Sequence, residues 1–255
     1  MTAIMPKIIS IHSFRGGTGK SNTTANIAAI LALNNYKVGV IDTDIQSPGI
    51  HIIFGMNEDN IHYALNDFLW GKCAIEQAAY EQTRNLNLNS SGRLFLIPSS
   101  FKTGDIARML HDGYDMNLLS EGFKQLVKSL DLDFLLIDTH PGLNEETLLS
   151  IALSDFLLII LRPDNQDYQG TGITVEVARQ LETPKMELLV NKAPSVFSGA
   201  DLKTKIETIY NCPVAGIIPH SEELMALASG GIFSLKYPEH PVTKIYREVA
   251  ARMIG

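Results

Sequence analysis

The segment Phe14-Arg15-Gly16-Gly17-Thr18-Gly19-Lys20-Ser21 combines residue types suited to holding phosphate. Glycines let a chain turn tightly and aim successive N–H groups inward as an anion nest. A helix starting at the loop adds its positive end. Lys20 supplies a mobile cation for terminal phosphates, and the Ser21 hydroxyl is a Mg²⁺ ligand. The alternative is a Gly-rich turn that binds nothing. Two further stretches place carboxylates at strand ends: Asp42 and Asp44 in Val40-Ile41-Asp42-Thr43-Asp44, and Asp138 in Leu135-Leu136-Ile137-Asp138-Thr139-His140-Pro141-Gly142. Phosphoryl transfer needs positioning and charge neutralisation more than covalent help.

Short apolar runs precede these groups: Ile8–Ile11, Val38–Ile41, Phe134–Ile137, Phe156–Leu161, Leu188–Val190 and Val214–Ile218. Their Ile, Val and Leu content suits strands buried on both faces. Helix-like stretches lie between most of them, at Ser21–Leu33, Met116–Leu130, Glu145–Leu153, Thr171–Leu181 and Ala200–Tyr210, with another at Pro241–Met253. The alternation predicts an α/β fold with a mostly parallel twisted sheet and helices on both faces. Polar residues at the carboxyl ends of strands then share the edge where ligands bind. Around Ser90-Ser91-Gly92, pieces near Leu86–Leu88 and Leu94–Ile97 suggest a local hairpin.

The standard phosphate loop has Gly six residues before the lysine, and here that position is Phe14. A charged residue followed by Gly-Gly-x-Gly-Lys-Ser resembles the deviant Walker-A ATPases of the ParA/MinD family. That resemblance spans nearly the whole chain and implies a P-loop NTPase fold, ATP and Mg²⁺ as cofactors, and slow, partner-stimulated ATP hydrolysis. It implies that Gly16, Gly17, Thr18, Gly19, Lys20, Ser21 and Asn22 hold the nucleotide, with Lys20 also serving the chemistry. Asp44 would position the attacking water. Ser21, Asp42 and Asp138 would serve Mg²⁺, the aspartates through water. Gly142 would let a second switch loop move. Asn191, Pro219 and His220, at two strand exits, would surround adenine; either segment is also readable as a plain strand exit. Relatives usually carry Pro where this chain has His140, which reads as a structural histidine or a titrating one.

Family members typically carry a lysine before the Gly-Gly pair that reaches the partner subunit's nucleotide. Here it is Arg15, whose charge and planar fork suit phosphate oxygens. The simplest expectation is that Arg15 does the lysine's work in a homodimer with ATP at its interface. The rival is that Arg15 points elsewhere and Arg162 substitutes.

Composition bounds the output. The 255 residues carry 21 Lys and Arg against 28 Asp and Glu, a net charge of −7. That argues against a protein that coats nucleic acid over its whole surface. The last 71 residues are slightly basic, with a net of +1, which leaves room for weak, salt-sensitive, non-specific DNA binding by an ATP dimer. The two cysteines, Cys73 and Cys212, form no CxxC motif. No long apolar leader is seen, so a cytoplasmic protein is expected, nucleoid association included. The reading is one ATPase domain over residues 1–255. It works as a switch that positions plasmid, chromosome or protein cargo with a stimulating adaptor. Alternatives are a MinD-like membrane-associated ATPase, weighed against by the lack of an amphipathic tail beyond Gly255, and a P-loop metal-cluster carrier.

Overall fold

The computed structural model describes residues 5–196 and 199–255. Its centre is one eight-stranded sheet, with strands β1 Lys7–His12, β2 Lys37–Asp42, β3 Tyr80–Glu81, β4 Arg93–Ile97, β5 Phe134–Asp138, β6 Phe156–Leu161, β7 Met186–Ala193 and β8 Val214–Pro219. The order is β3-β4-β2-β5-β1-β6-β7-β8. Every pairing is parallel except β3 with β4. All six predicted apolar runs are strands, and β5 and β6 are buried along their whole length.

Side chains alternate across a strand, so the sheet needs two apolar covers. On one face Ile9, Ile11, Val38, Val40 and Leu136 pack under α1 (Lys20–Leu33) together with α2 (Ile50–Ile53), α10 (Phe233–Lys236) and α11 (Pro241–Ile254). On the other, Ile41, Leu135 and Ile137 meet α3 (Leu65–Leu69), α4 (Thr103–Asp112) and α5 (Met116–Ser129). Further along that face, Leu157, Ile159 and Leu188 meet α6 (Glu145–Ala152), α7 (Asn165–Gln180) and α8 (Gly199–Tyr210). The short α9 (Glu222–Leu227) follows β8. Helix α1 is buried nearly all round, from Thr23 to Ala32, which its Ala-rich, chargeless interior permits.

Two expectations are corrected. The strand Arg93–Ile97 pairs antiparallel with Tyr80–Glu81 and not with Leu86–Leu88. Residues 82–88 make helical-type turns, with Leu86 N–H on Gln82 O and Leu88 N–H on Thr83 O, and Asn87 is left-handed at φ 52°. The Asn-Leu alternation there mimics a strand, but it serves to tuck Leu88 into the core. Helix α7 begins at Asn165, six residues before the apolar periodicity suggested, because Asp164 caps it through Gln166 and Asp167 N–H.

Candidate nucleotide site

The glycine-rich loop leaves β1 and enters α1 at Gly19, which has φ 99° and takes the place of a capping side chain. A Cβ on Gly19 would lie 2.4 Å from Asn191 Nδ2. Only glycine satisfies both the left-handed backbone and that approach. Gly17 is likewise left-handed, at φ 74°. Phe14, standing where the standard loop has glycine, packs on Gly170 of α7: a Cβ there would lie 2.1 Å from the Phe14 ring. Thr18 is buried and its carbonyl accepts a 2.7 Å bond from Asn191 Nδ2.

Parallel register sets the carboxylates. Asp42 and Asp138 are facing partners at the ends of β2 and β5, and Ile11 of β1 also registers with Asp138. Both carboxylates are buried, as is Lys20, whose charge acts on Asp138. Burial, then the Asp138 and Asp44 charges, holds Asp42 well above the usual carboxylate range. Burial pushes Asp138 up to about 6, against the pull of Lys20 and of hydrogen bonds from Ser21 and Thr24. Thr24 Oγ1 donates to Asp138 Oδ1 at 3.2 Å. Two adjacent buried carboxylates with one lysine acting on one of them are short of positive charge, so a cation fits here. Among the described residues no three His, Cys, Asp or Glu side chains form a ready metal cage. Mg²⁺ needs none, since it binds through one or two carboxylates plus phosphate oxygens.

Two clefts open over the loop. One, of about 360 Å³, is lined by Gly16, Gly17, Gly19, Lys20, Ser21, Asn22, Asp44, Ser47 and Pro141 among others. The second, of about 340 Å³, shares Gly17, Gly19 and Asn22 and continues to Asn191, Lys192, Pro219, His220, Leu224, Met225 and Tyr246. Together they form a polar end over the loop and an apolar end suited to a base. A bulge in the β7–β8 ladder between Val190 and Ala193, with Lys192 at φ 55°, turns Asn191 toward the loop. Lys192 Nζ donates to Gly17 O at 2.9 Å. The structure thus brings together the predicted loop residues, Asp44, Asn191, Pro219 and His220. Asp42 and Asp138 lie beneath them. Gly142, at φ 86°, donates its N–H to Ser13 O at 3.3 Å.

Arg15 turns away from the clefts. Its Nη1 lies 3.4 Å from Asp167 Oδ1 and 3.6 Å from Asp164 Oδ1, with the side chain 39% exposed. Arg162 holds the same Asp167 through Nε at 3.0 Å. Sequence reasoning missed Thr24, Lys192 and the apolar wall Leu224, Met225 and Tyr246. Thr24 was findable, being one turn after Lys20 on the same helix face. The wall was not, because Tyr246 sits over 220 residues from the loop.

The AAA domain family model matches residues 6–189. An uncharacterized ATP-binding protein of Methanocaldococcus jannaschii is 29% identical over 259 residues, covering 100% of this chain and 90% of that protein. The septum site-determining protein MinD of Neisseria meningitidis serogroup B is 27% identical over 263 residues, covering 98% and 92%. Among solved structures, the septum site-determining protein MinD complexed with Mg-ADP from Pyrococcus horikoshii superimposes with TM-score 0.80 at 21% identity. It covers 98% of this chain and 96% of that one.

Proposed function

The chain belongs to the AAA domain family, as a P-loop ATPase of the ParA/MinD kind, and from that premise we propose a Mg²⁺-dependent ATP hydrolase that works as a dimerisation switch. The observation that carries the reading is the facing pair Asp42 and Asp138, buried at adjacent strand ends, with Lys20 of the loop acting on Asp138. Gly16 to Gly19 offer backbone N–H groups to phosphates, and Lys20 adds charge. Ser21, Asp42 and Asp138 would hold Mg²⁺, which neutralises phosphate charge when bound. Asp44 lines the phosphate-facing cleft, where it would orient the attacking water. The base would lie against Pro219 and His220, with Asn22 and Asn191 beside the loop. Gly142 is the hinge of the second switch loop.

We assign Arg15 to the partner subunit's nucleotide in the ATP-bound homodimer. Among the described residues its half-exposed guanidinium is paired with Asp167 at 3.4 Å and Asp164 at 3.6 Å. The pair to half-exposed Asp164 is a surface pair worth at most about 1 kcal/mol, and Asp167 keeps its closer partner Arg162.

The dimer would dock on nucleoid DNA, position plasmid, chromosome or protein cargo, and be released by a stimulating adaptor. Lys205, Lys236, Lys244 and Arg247 face solvent for this. Arg252 is engaged with Glu187, and Lys203 with Glu207. MinD-like membrane association is the second reading, favoured by the relatives that carry the MinD name. Against it, α11 buries Tyr246, Val249 and Met253 on the sheet, so its apolar side is already covered. No helix among the described residues is long and apolar enough to cross a membrane. A metal-cluster carrier needs exposed thiols beside the loop. Cys212 is buried in the core under α8, and Cys73 packs on a different cluster.

The test is co-sedimentation of the Asp44→Ala protein with DNA and with anionic liposomes, with and without MgATP. ATP-dependent pelleting with DNA supports the leading reading, and pelleting with liposomes only transfers it to the membrane. Pelleting with neither overturns the switch as stated.

A further inference from the structure

His140 occupies the position where the family usually has proline, and its side chain is bonded into the site. Nδ1 lies 2.7 Å from Asp44 Oδ1. A carboxylate accepts and does not donate, so Nδ1 carries the proton and donates it. The same Oδ1 accepts from Ser47 N–H at 3.0 Å. One oxygen of Asp44 is thereby pinned, and the other is left for the cleft that Asp44 lines with Lys20 and Ser21. The histidine is itself held from behind. Its carbonyl accepts from Thr147 Oγ1 at 3.1 Å in the first turn of α6, where Asn144 caps Thr147 N–H at 2.9 Å. The preceding Thr139 donates to Ile11 O at 3.1 Å and meets His12 Nδ1 at 2.8 Å. A proline at position 140 could make none of the side-chain contact, since it has no donor.

We propose that His140 is a positioning residue that sets the orientation of the Asp44 carboxylate and ties the loop at residues 42–49 to the loop at residues 138–142. The imidazole acts through Asp44 and lines neither cleft. The two loops then move as one unit, and displacement of α6 is transmitted through Thr147 and His140 to the water-positioning carboxylate. The inference rests on the hydrolase reading of the site.

The test compares native protein with His140→Ala, which removes the donor, and His140→Asn, whose amide nitrogen can stand near the Nδ1 position. Basal MgATP turnover and the affinity for a fluorescent ATP analogue are measured for each. His140→Ala should lower kcat roughly 10-fold or more, as misplacement of a reacting group does. KM and analogue affinity should stay within about 2-fold, since binding is not what was removed. His140→Asn should recover most of the loss. In nucleotide-free protein, ¹⁵N NMR of the imidazole should show a protonated, deshielded Nδ1–H that is lost in Asp44→Ala. Native kcat in His140→Ala, equal loss in both variants, or protonation at Nε2 alone would each overturn the assignment. Absence of phosphate release from native protein would remove the hydrolase reading itself, a different failure from native turnover that ignores His140.

Discussion

Arg15 of the phosphate loop and Asp167 of α7 stand 3.4 Å apart, and Arg162 shares the same carboxylate at 3.0 Å. The nearly buried Asp167 therefore has a full partner in Arg162 without Arg15. The loop cation is held at the longer distance and is half-exposed, so it can leave at small cost. If Arg15 serves the partner's nucleotide, Arg15→Ala should abolish ATP-dependent dimerisation and cut turnover about 10-fold or more. Arg162→Ala should instead lower stability by about 2 kcal/mol, because it removes the nearer of the two cations from a nearly buried carboxylate. Analytical ultracentrifugation and thermal melts read the two effects separately. Unchanged dimerisation and turnover in Arg15→Ala would reject the assignment.

His12 is fully buried under the loop. Thr139 Oγ1 spends its proton on Ile11 O, so His12 donates through Nδ1, and its Nε2 has no partner among the described residues. Burial, then the nearby charges of Lys20 and His140, brings its pKa down to about 3. The depressed value means that stability is complete above the unfolded pKa near 6.5. It is lost as pH falls toward 3, at ~1.4 kcal/mol per pH unit for one proton. Between pH 7.5 and pH 5 the native protein should lose about 2 kcal/mol more than His12→Gln. Urea unfolding without nucleotide checks this. Equal pH slopes in the two proteins would show that His12 does protonate when folded.

Two glycines of α7 should respond differently. A Cβ on Gly170 would lie 2.1 Å from the Phe14 ring, whereas one on Gly172 meets only Tyr210 Cε1 at 3.7 Å. Gly170→Ala should cost about 1–3 kcal/mol by overpacking and weaken nucleotide binding by moving the start of the loop. Gly172→Ala should be neutral or gain up to about 1 kcal/mol from helix propensity. Denaturant midpoints and ATP-analogue titration measure both. Equal effects at the two positions would refute the account of Phe14.

Much of this architecture is legible in the sequence, because parallel strands buried on both faces leave unbroken apolar runs such as Phe156–Leu161. The loop from Arg15 to Ser21 was equally legible, since glycines in a left-handed backbone leave a compositional trace. Less legible were features made by distant chain segments. Tyr246 joins the base end of the cleft only because α11 returns to pack on α1 and β8. The Asn-Leu alternation at 85–89 misled because two-residue periodicity also arises where turns tuck single leucines inward. His140 stood out by type alone, and its contact with Asp44 depended on how two loops at adjacent strand ends face each other.

The central claim is that ATP, and not ADP, drives two copies of this chain together. Sedimentation of the Asp44→Ala protein with MgATP and with MgADP tests it most directly, because loss of the water-positioning carboxylate should trap the ATP state. The account predicts a particle of twice the 28.1 kDa chain mass with MgATP and a single chain with MgADP. A single chain under both nucleotides, with ATP shown to be bound, would contradict it.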